Sequence, residues 1–429
     1  MHLRLSSLTE RLRASLFFVP MTAVVSAVVL GTLGLALDRW IGPSGANLPL
    51  GLTSTVESAR TLLSTIAGAT ITFAGIAFSI SLLIIQLASS QYSPRVVHTL
   101  FRDPFNKRVM ALVVGTFTYC VIVLRSVRSA LDKGGDPVIP NLSVAVAVVL
   151  GITTILAIVA FINRSAHAMD ISEILERVRR ESVAHARRHW SVTEPGVSSD
   201  EPVEELGRPG CVVRFARSGW VQQFDAEALL RCVPDHGLMQ LETYPGRYAI
   251  EGAALCSISP APADADKARR EICAAVTVGG TRTMQQDSSY GLRQLADVAL
   301  KALSPGINDP TTAQDSIFHA AAVLAEFLRR DPPSRLRAGD NGRRLVIAHQ
   351  PTLDDLVRLT FDETRRSAVG QPTVCVYLVE ALDLLRETVV EAGIEGRHGA
   401  LEEQARLVVS GCEAADLLPA DLAVVRSAY

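Results

Sequence analysis

Hydrophobic and polar positions divide the chain into two parts with different patterns. Charged residues are rare between Leu16 and Ile162 and dense after Asn163. The first part contains four apolar runs, and a bilayer core of roughly 30 Å needs about 20 such residues in a helix. The pattern predicts four transmembrane helices, at about residues 14–37, 61–88, 109–124 and 142–162, within a membrane domain of residues 1–165. The first run is too long for a cleaved signal, so it is predicted to span.

Basic residues flank the four runs unevenly. Three precede the first run, four lie between residues 91 and 108, and six lie between residues 164 and 188. The two opposite loops hold two and three. Since basic loops stay on the cytoplasmic side, this distribution predicts an inner-membrane protein with both termini in the cytoplasm.

The second apolar run carries small and polar residues along one helical face. No charged residue lies between Thr61 and Gln91, which argues against a proton relay or a charge-coupled transporter. Two interpretations stay open, namely close packing between helices of one bundle and a water-facing wall in an oligomer. The face consists of Thr65, Gly68, Thr72, Gly75, Ser79 and Gln86.

The second part of the chain changes its period several times. Residues 166–207 predict a stiff connector helix followed by a polar linker rich in proline and acids. Short alternating runs then predict a small β unit at residues 208–280, and helical spacing predicts a helical bundle at residues 281–429. The predicted fold class is a mainly α membrane protein, with four transmembrane helices and a cytoplasmic α+β domain.

A dense run of polar residues lies among apolar ones between Gln285 and Asp315. A structural interpretation has Asp309 capping a helix that starts at Pro310, with Arg293 and Asp297 pairing one turn apart. A ligand or cation site is the alternative. No nucleophile with a paired base is evident, so no enzymatic activity is predicted. The candidate residues are Asp287, Arg293, Asp297, Asn308, Asp309 and Asp315.

Composition narrows the possible partners. The 42 basic and 44 acidic residues nearly balance, so no overall field favours nucleic acid. The seven cysteines form no C-x-x-C pair and no zinc-type spacing, which predicts reduced thiols and no metal site. No cofactor is expected, and no ion or small ligand is identified.

Two stretches carry a resemblance to a known family. They are GLRQLADVALKALSPGINDPTTAQD, preceded by GTRTMQQD, and TFAGIAFSISLLIIQLASSQYSPRVV in the second apolar run. Together they resemble an uncharacterised bacterial family of predicted membrane proteins (domain of unknown function 2254), over essentially the whole chain. One departure is Thr311, where an aromatic residue often follows the Asp-Pro pair. The resemblance implies a four-span membrane protein with a cytoplasmic domain, and it implies no settled activity.

Two functional hypotheses follow. In the first, the protein forms a homo-oligomer in the lipid bilayer, and its second helix faces the axis of a channel-like or gated passage under a cytoplasmic regulatory domain. In the second, the protein is a membrane-anchored sensor or scaffold whose cytoplasmic domain binds a ligand or a partner.

Overall fold

The computed structural model describes residues 18–41, 55–91, 104–127, 140–167, 170–193 and 207–429. The chain is mostly helical and divides into two compact units, Met1–Asp170 and Ile171–Tyr429. The first is called here the membrane unit and the second the C-terminal unit.

The membrane unit contains four long helices. Each holds a segment that is long and apolar enough to cross a membrane, so the prediction of four such helices is confirmed. The second begins five residues before the predicted start at 61, and the third extends beyond the predicted 109–124 at both ends. The helices are α1 Phe18–Ile41, α2 Val56–Gln91, α3 Pro104–Ser126 and α4 Asn141–His167.

Helix α3 lies at the centre of the membrane unit and contacts each of the other three helices. Its buried side chains Tyr119 and Cys120 belong to an apolar core shared with α1, α2 and α4. A hydrogen bond of 3.0 Å between the hydroxyls of Thr116 and Thr154 also joins α3 to α4. Such a bond satisfies two buried hydroxyls where no water is available.

A carboxylate at the end of α1 caps the start of α4. The oxygens of Asp38 accept bonds from the backbone N–H groups of Leu142 and Ser143, at 3.0 and 3.1 Å, and from the Ser143 hydroxyl at 2.5 Å. The first N–H groups of a helix have no partner within it, and the positive end of the helix dipole favours an acid. Asp38 therefore ties α1 to α4 at one end of the unit.

Three sheets form the β part of the C-terminal unit. The five-stranded sheet has the order β2-β6-β4-β10-β9, the three-stranded sheet has the order β5-β3-β7, and β1 pairs with β8. All pairs are antiparallel except β4 with β10. The strands are β1 Ser191–Val192, β2 Cys211–Arg214, β3 Gly219–Phe224, β4 Leu238–Leu241, β5 Tyr248–Ala249, β6 Ala254–Ser259, β7 Val276–Gly279, β8 Arg330–Asp331, β9 Leu336–Ala338 and β10 Arg344–Ile347.

The β part also includes residues from the stretch 281–429, for which the sequence predicts a helical bundle. The arginine-rich segment around residues 329–344 supplies β8 and β9 and the start of β10. Strand β10 buries Leu345, Val346 and Ile347 in the sheet beside β4. Three apolar residues between arginines and a polar turn are too few to show the alternation that identifies a strand.

Helices make up the rest of the C-terminal unit, with α8 and α9 packed against each other at its centre. Two short 3-10 turns lie at Asp340–Gly342 and Glu395–Arg397. The helices are α5 Ile171–His189, α6 Ala226–Arg231, α7 Ala265–Ala275, α8 Tyr290–Ala302, α9 Pro310–Leu328, α10 Leu353–Ala368, α11 Pro372–Glu391, α12 Gly399–Ala414 and α13 Pro419–Ala428.

Helix α5 lies within the segment 166–207, for which the sequence predicts a stiff connector helix and a linker. Helix α4 ends at His167 and α5 begins at Ile171. Helix α5 belongs to the C-terminal unit and packs on α8 and α9. Its buried face contains Ile174, Leu175 and Val178, the apolar positions that such packing requires.

Candidate functional site

The polar face of α2 points away from the helices that α2 packs against. Its predicted residues are exposed, while Ala59, Leu63, Ala67, Thr70 and Ala77 are buried. At 100° per residue, these two sets lie on opposite sides of the helix. Within one chain, the described helices therefore pack on the other side of α2. The exposed set is Thr65, Gly68, Thr72, Gly75, Ser79 and Gln86.

The hydroxyls on this face already donate within α2. Thr72 Oγ1 donates to the carbonyl of Gly68 at 2.8 Å, and Ser79 Oγ donates to the carbonyl of Gly75 at 3.0 Å. These bonds remove the cost of an unused donor in lipid. The hydroxyl oxygens keep lone pairs that can accept a bond from water or contact a cation.

The two glycines on this face adjoin open space. A Cβ added at Gly68 or Gly75 would meet nothing within 4 Å. By contrast, a Cβ added at Gly151 of α4 would lie 3.2 Å from Ile66 of α2. Gly151 thus allows close packing inside one chain, whereas Gly68 and Gly75 have no such role among the described residues.

The second candidate, the run from Gln285 to Asp315, begins with a buried ion pair. Asp287, only 3% exposed, accepts a hydrogen bond of 2.8 Å from Arg282 Nε and lies 2.7 Å from Arg282 Nη2, and it accepts two bonds from Ser289, through its N–H and its hydroxyl. The Arg282 guanidinium lies over the rings of Trp220 and Tyr290, at 5.6 and 5.2 Å. Burial raises the pKa of the Asp287 carboxyl, and the charge of Arg282 opposes that shift.

A glycine from the β part leaves room for this ion pair. Gly246 has a φ of 96°, and a Cβ there would overlap the carboxylate of Asp287. Glycine adopts this conformation without a steric penalty. The residues just before α8 therefore pack closely against the turn between β4 and β5.

The same stretch holds helix α5. Trp190 Nε1 donates to Ser288 Oγ at 3.0 Å, and His185 Nε2 lies 3.2 Å from the same oxygen. A Cβ at Gly291 would overlap the hydroxyl of Ser182, so glycine permits the close approach of α5 and α8. Burial, helped by the neighbouring His189, lowers the pKa of His185 to about 4. His185 is therefore neutral at physiological pH.

The same end of α5 also contacts the end of α9. Arg187 makes two hydrogen bonds of 3.1 Å to Glu326, and Arg330 donates to the carbonyl of Trp190 at 3.2 Å. The Trp190 ring meets the Phe327 ring edge to face at 4.7 Å. These bonds fix the C-terminal end of α5 against the helical bundle.

Arg293 and Asp297 pair as their spacing predicts, and a third residue joins them. Arg293 donates to Asp297 at 2.6 and 2.7 Å and to Glu363 of α10 at 2.8 Å. Glu363 lies 70 residues away along the chain, so no local pattern could reveal it. The group ties α8 to α10.

The break between α8 and α9 also has the predicted local structure. Asp309 caps α9 by accepting from the backbone and hydroxyl of Thr312, at 3.1 and 2.6 Å, and the hydroxyl bond is the main cause of its lowered pKa. Asn308 adopts a left-handed φ of 48° and accepts a bond from Gln371. Asp315 lies two turns into α9, where its carbonyl accepts from His319 at 2.7 Å.

The six predicted residues of this run thus fall into five separate bonding groups: Asp287 with Arg282, Arg293 with Asp297, Asn308 with Gln371, Asp309 with Thr312, and the Asp315 carbonyl with His319. Among the described residues, no cluster of three or more His, Cys, Asp or Glu side chains has an arrangement that fits a metal ion. The bonds serve helix capping and helix packing. Sequence reasoning missed Arg282, Ser288 and Gly246, although Arg282 lies within the quoted stretch GTRTMQQD.

Comparison with known proteins identifies relatives along most of the chain. Uncharacterised proteins of Mycobacterium tuberculosis and Mycobacterium bovis are each 28% identical over 403 residues, which cover 90% of this chain and 76% of theirs. No solved structure matches the chain. The family described as "Predicted membrane protein (DUF2254)" matches residues 13–384, and the chain belongs to this family.

Proposed function

We propose that the protein assembles as a homo-oligomer in the membrane and that α2 faces a channel-like or gated passage between the copies. One observation carries the proposal: the small and polar face of α2, from Thr65 to Ser79, lies opposite the face that packs within the chain. Lipid offers hydroxyl oxygens no donors, whereas a second copy or water in a passage does.

The sides of this face support the same arrangement. Large apolar residues flank it, namely Ile71, Ile76, Phe78, Leu82 and Leu83, and all of them are exposed. Small residues let two helices approach closely, while larger neighbours fill the surrounding space. Gln86 lies three residues beyond the apolar span Val56–Leu83 and so belongs at the mouth of the passage rather than at its middle.

The proposal includes an orientation. The ends of α1 and α3 and the starts of α2 and α4 lie on one side, as the Asp38 cap and a bond of 3.1 Å from Arg60 to the Val127 carbonyl illustrate. The basic segments before α1, before α3 and after α4 all belong to the opposite side. By the positive-inside rule, that side is cytoplasmic. The C-terminal unit follows α4 and would therefore lie in the cytoplasm, and the membrane would be the inner membrane.

Planar bilayers containing the purified full chain test this function. Conductance should appear with the wild type and fall with Ser79→Leu. The matched control is Thr153→Leu on α4, because Thr153 is equally exposed and makes the same kind of bond, to the Val149 carbonyl at 2.8 Å. A protein that stays monomeric and shows no conductance would refute the proposal.

A membrane-anchored sensor or scaffold is the second candidate function. The observation that favours it is the packing of α5 against α8 and α9, because α5 begins at Ile171, four residues after the last residue of α4. A change in the C-terminal unit would thereby reach the fourth membrane helix. Asp297→Ala should abolish binding of a partner and leave the membrane unit assembled. If the variant simply unfolds, Asp297 has only a structural role and this second function loses its support.

A further inference from the structure

Two cysteines that lie far apart along the chain meet in the C-terminal unit. Cys375 belongs to the first turn of α11, and Cys412 belongs to the last turn of α12. The two thiols are within hydrogen-bonding contact of each other. Both side chains are buried, with exposures of 1% and 0%. Because most of α11 and α12 lies between them, no C-x-x-C spacing marks this pair in the sequence.

The turn between α10 and α11 sets the position of both sulfurs. Cys375 Sγ donates to the carbonyl of Ala368, the last residue of α10, at 3.2 Å. Next to Cys412, a Cβ added at Gly411 would lie 3.3 Å from a methyl carbon of Val369. Gly411 thus lets the end of α12 approach the turn that precedes Cys375. Helix packing therefore holds the two sulfurs where a bond can form with small side-chain movements.

The position of Cys412 gives the pair a route to solvent. Burial raises the pKa of the Cys375 thiol, and its hydrogen bond with Cys412 adds to that shift. Since the thiolate is the reactive form, Cys375 is protected from oxidants while the helices stay packed. Cys412 lies two residues from the end of α12, beside the exposed Glu413. Helix ends open more readily than helix centres, so opening of this turn exposes Cys412 first.

We propose that Cys375 and Cys412 form an intramolecular disulfide when the protein meets hydrogen peroxide. Cys412 loses its proton and attacks the O–O bond, which leaves a sulfenic acid on its sulfur and releases one water. The Cys375 sulfur then attacks the Cys412 sulfur, the S–S bond forms, and a second water leaves. The two sulfurs together lose two electrons, and the peroxide gains them. An external dithiol reverses the step by exchange and leaves as a disulfide.

The disulfide would tie the end of α12 to the start of α11. It closes the intervening chain into a loop and so restricts the unfolded state, which stabilises the folded C-terminal unit. The oxidised protein should therefore have a higher unfolding midpoint than the reduced protein. This inference concerns the C-terminal unit alone and does not depend on a passage through the membrane.

Peptide mapping of the full chain in detergent tests the pair without any substitution. Trypsin cuts after Arg386 and Arg406, so the two cysteines fall in separate peptides, residues 367–386 and residues 407–426. After treatment with hydrogen peroxide and blocking of free thiols, a digest without reductant should contain these two peptides joined. Thiols titrated in denaturant should fall by two from the seven of the chain, and dithiothreitol should restore them.

A pair of variants separates this disulfide from general oxidation. Cys412→Ala should abolish both the joined peptide and the rise in unfolding midpoint. Cys273→Ala is the matched control and should keep both. Cys273 also lies two residues from the end of its helix, and its sulfur likewise contacts a carbonyl, that of Arg214 at 3.9 Å.

Two results would overturn the proposal. In the first, peroxide-treated wild type stays folded and yields the two peptides unjoined, whether their cysteines remain thiols or become sulfinic acids. In the second, other cysteine pairs are joined as often as Cys375 and Cys412, which would show oxidation of unfolded chains instead of a reaction of the packed pair.

Discussion

Replacement of Gly75 by leucine distinguishes the packing of one chain from the packing between chains. A Cβ added at Gly75 would meet nothing within 4 Å, and large exposed apolar residues lie around it. Gly75→Leu should therefore leave the fold of the membrane unit intact. If a second copy packs on this face, the same leucine enters the contact and obstructs it. The variant changes assembly without changing the monomer.

The structure sets the size of both effects. Within a helix in water, leucine is more favourable than glycine by somewhat less than the roughly 1 kcal/mol that separates glycine from alanine, so the monomer should be no less stable. Inserting a side chain into a closely packed contact costs about 1–3 kcal/mol. That range corresponds to a roughly fivefold to 150-fold weaker self-association. Gly151→Leu should instead destabilise the monomer, because Ile66 already lies 3.2 Å from the position of an added Cβ.

The assay compares oligomeric mass and thermal stability in the same detergent. Multi-angle light scattering should give a lower mass for Gly75→Leu, with the helical signal and unfolding midpoint of the wild type retained. Gly151→Leu should instead lower the midpoint. An unchanged mass for Gly75→Leu, together with unchanged conductance, would refute the assignment of this face of α2 to contacts between copies.

Three further predictions concern the bonds inside each unit. Asp38→Ala should lower the stability of the membrane unit by about 1 kcal/mol, the usual contribution of a helix cap, measured as a lower unfolding midpoint. Asp297→Asn should destabilise the C-terminal unit by about 2 kcal/mol in urea unfolding, because the partly buried Arg293 then keeps only its contact with the more exposed Glu363. With the pKa of His185 lowered to about 4, the unfolded chain binds a proton below pH about 6.5 that the folded chain does not bind. Stability should thus fall by about 3 kcal/mol between pH 6.5 and 4, and calorimetry should show this slope reduced in His185→Gln.

Features with a short range along the chain could be predicted from the sequence. The four apolar helices follow from run length, and the pairing of Arg293 with Asp297 follows from helical spacing. The Asp309 cap and the left-handed Asn308 follow from the preferences of single residue types. In each case the partner lies within one helical turn.

Features that depend on tertiary contacts could not be predicted. The Asp38 cap spans 104 residues of sequence to Leu142, and Glu363 joins its ion pair across 70 residues. Strand β10 needs β4 beside it before its three apolar residues identify it as part of a sheet. The polar face of α2 is exposed because the other helices of the membrane unit pack on the opposite face of α2. The sequence alone was compatible with packing on either face.

The contacts of α5 explain why the run from Gln285 holds polar residues among apolar ones. Several neighbours hold the last two turns of α5. Ser288 and Gly291 hold them along α8, and Arg330 holds the end through the Trp190 carbonyl. Each contact needs either a small residue or one that can form a hydrogen bond. The contacts of α5 therefore account for Ser288 and Gly291 in this run, and no bound ligand is needed to explain these two residues. Ser288→Ala tests the consequence: if α5 couples the units, this variant alters conductance while oligomeric mass and helical content stay those of the wild type, and unaltered conductance would show that these contacts serve stability alone.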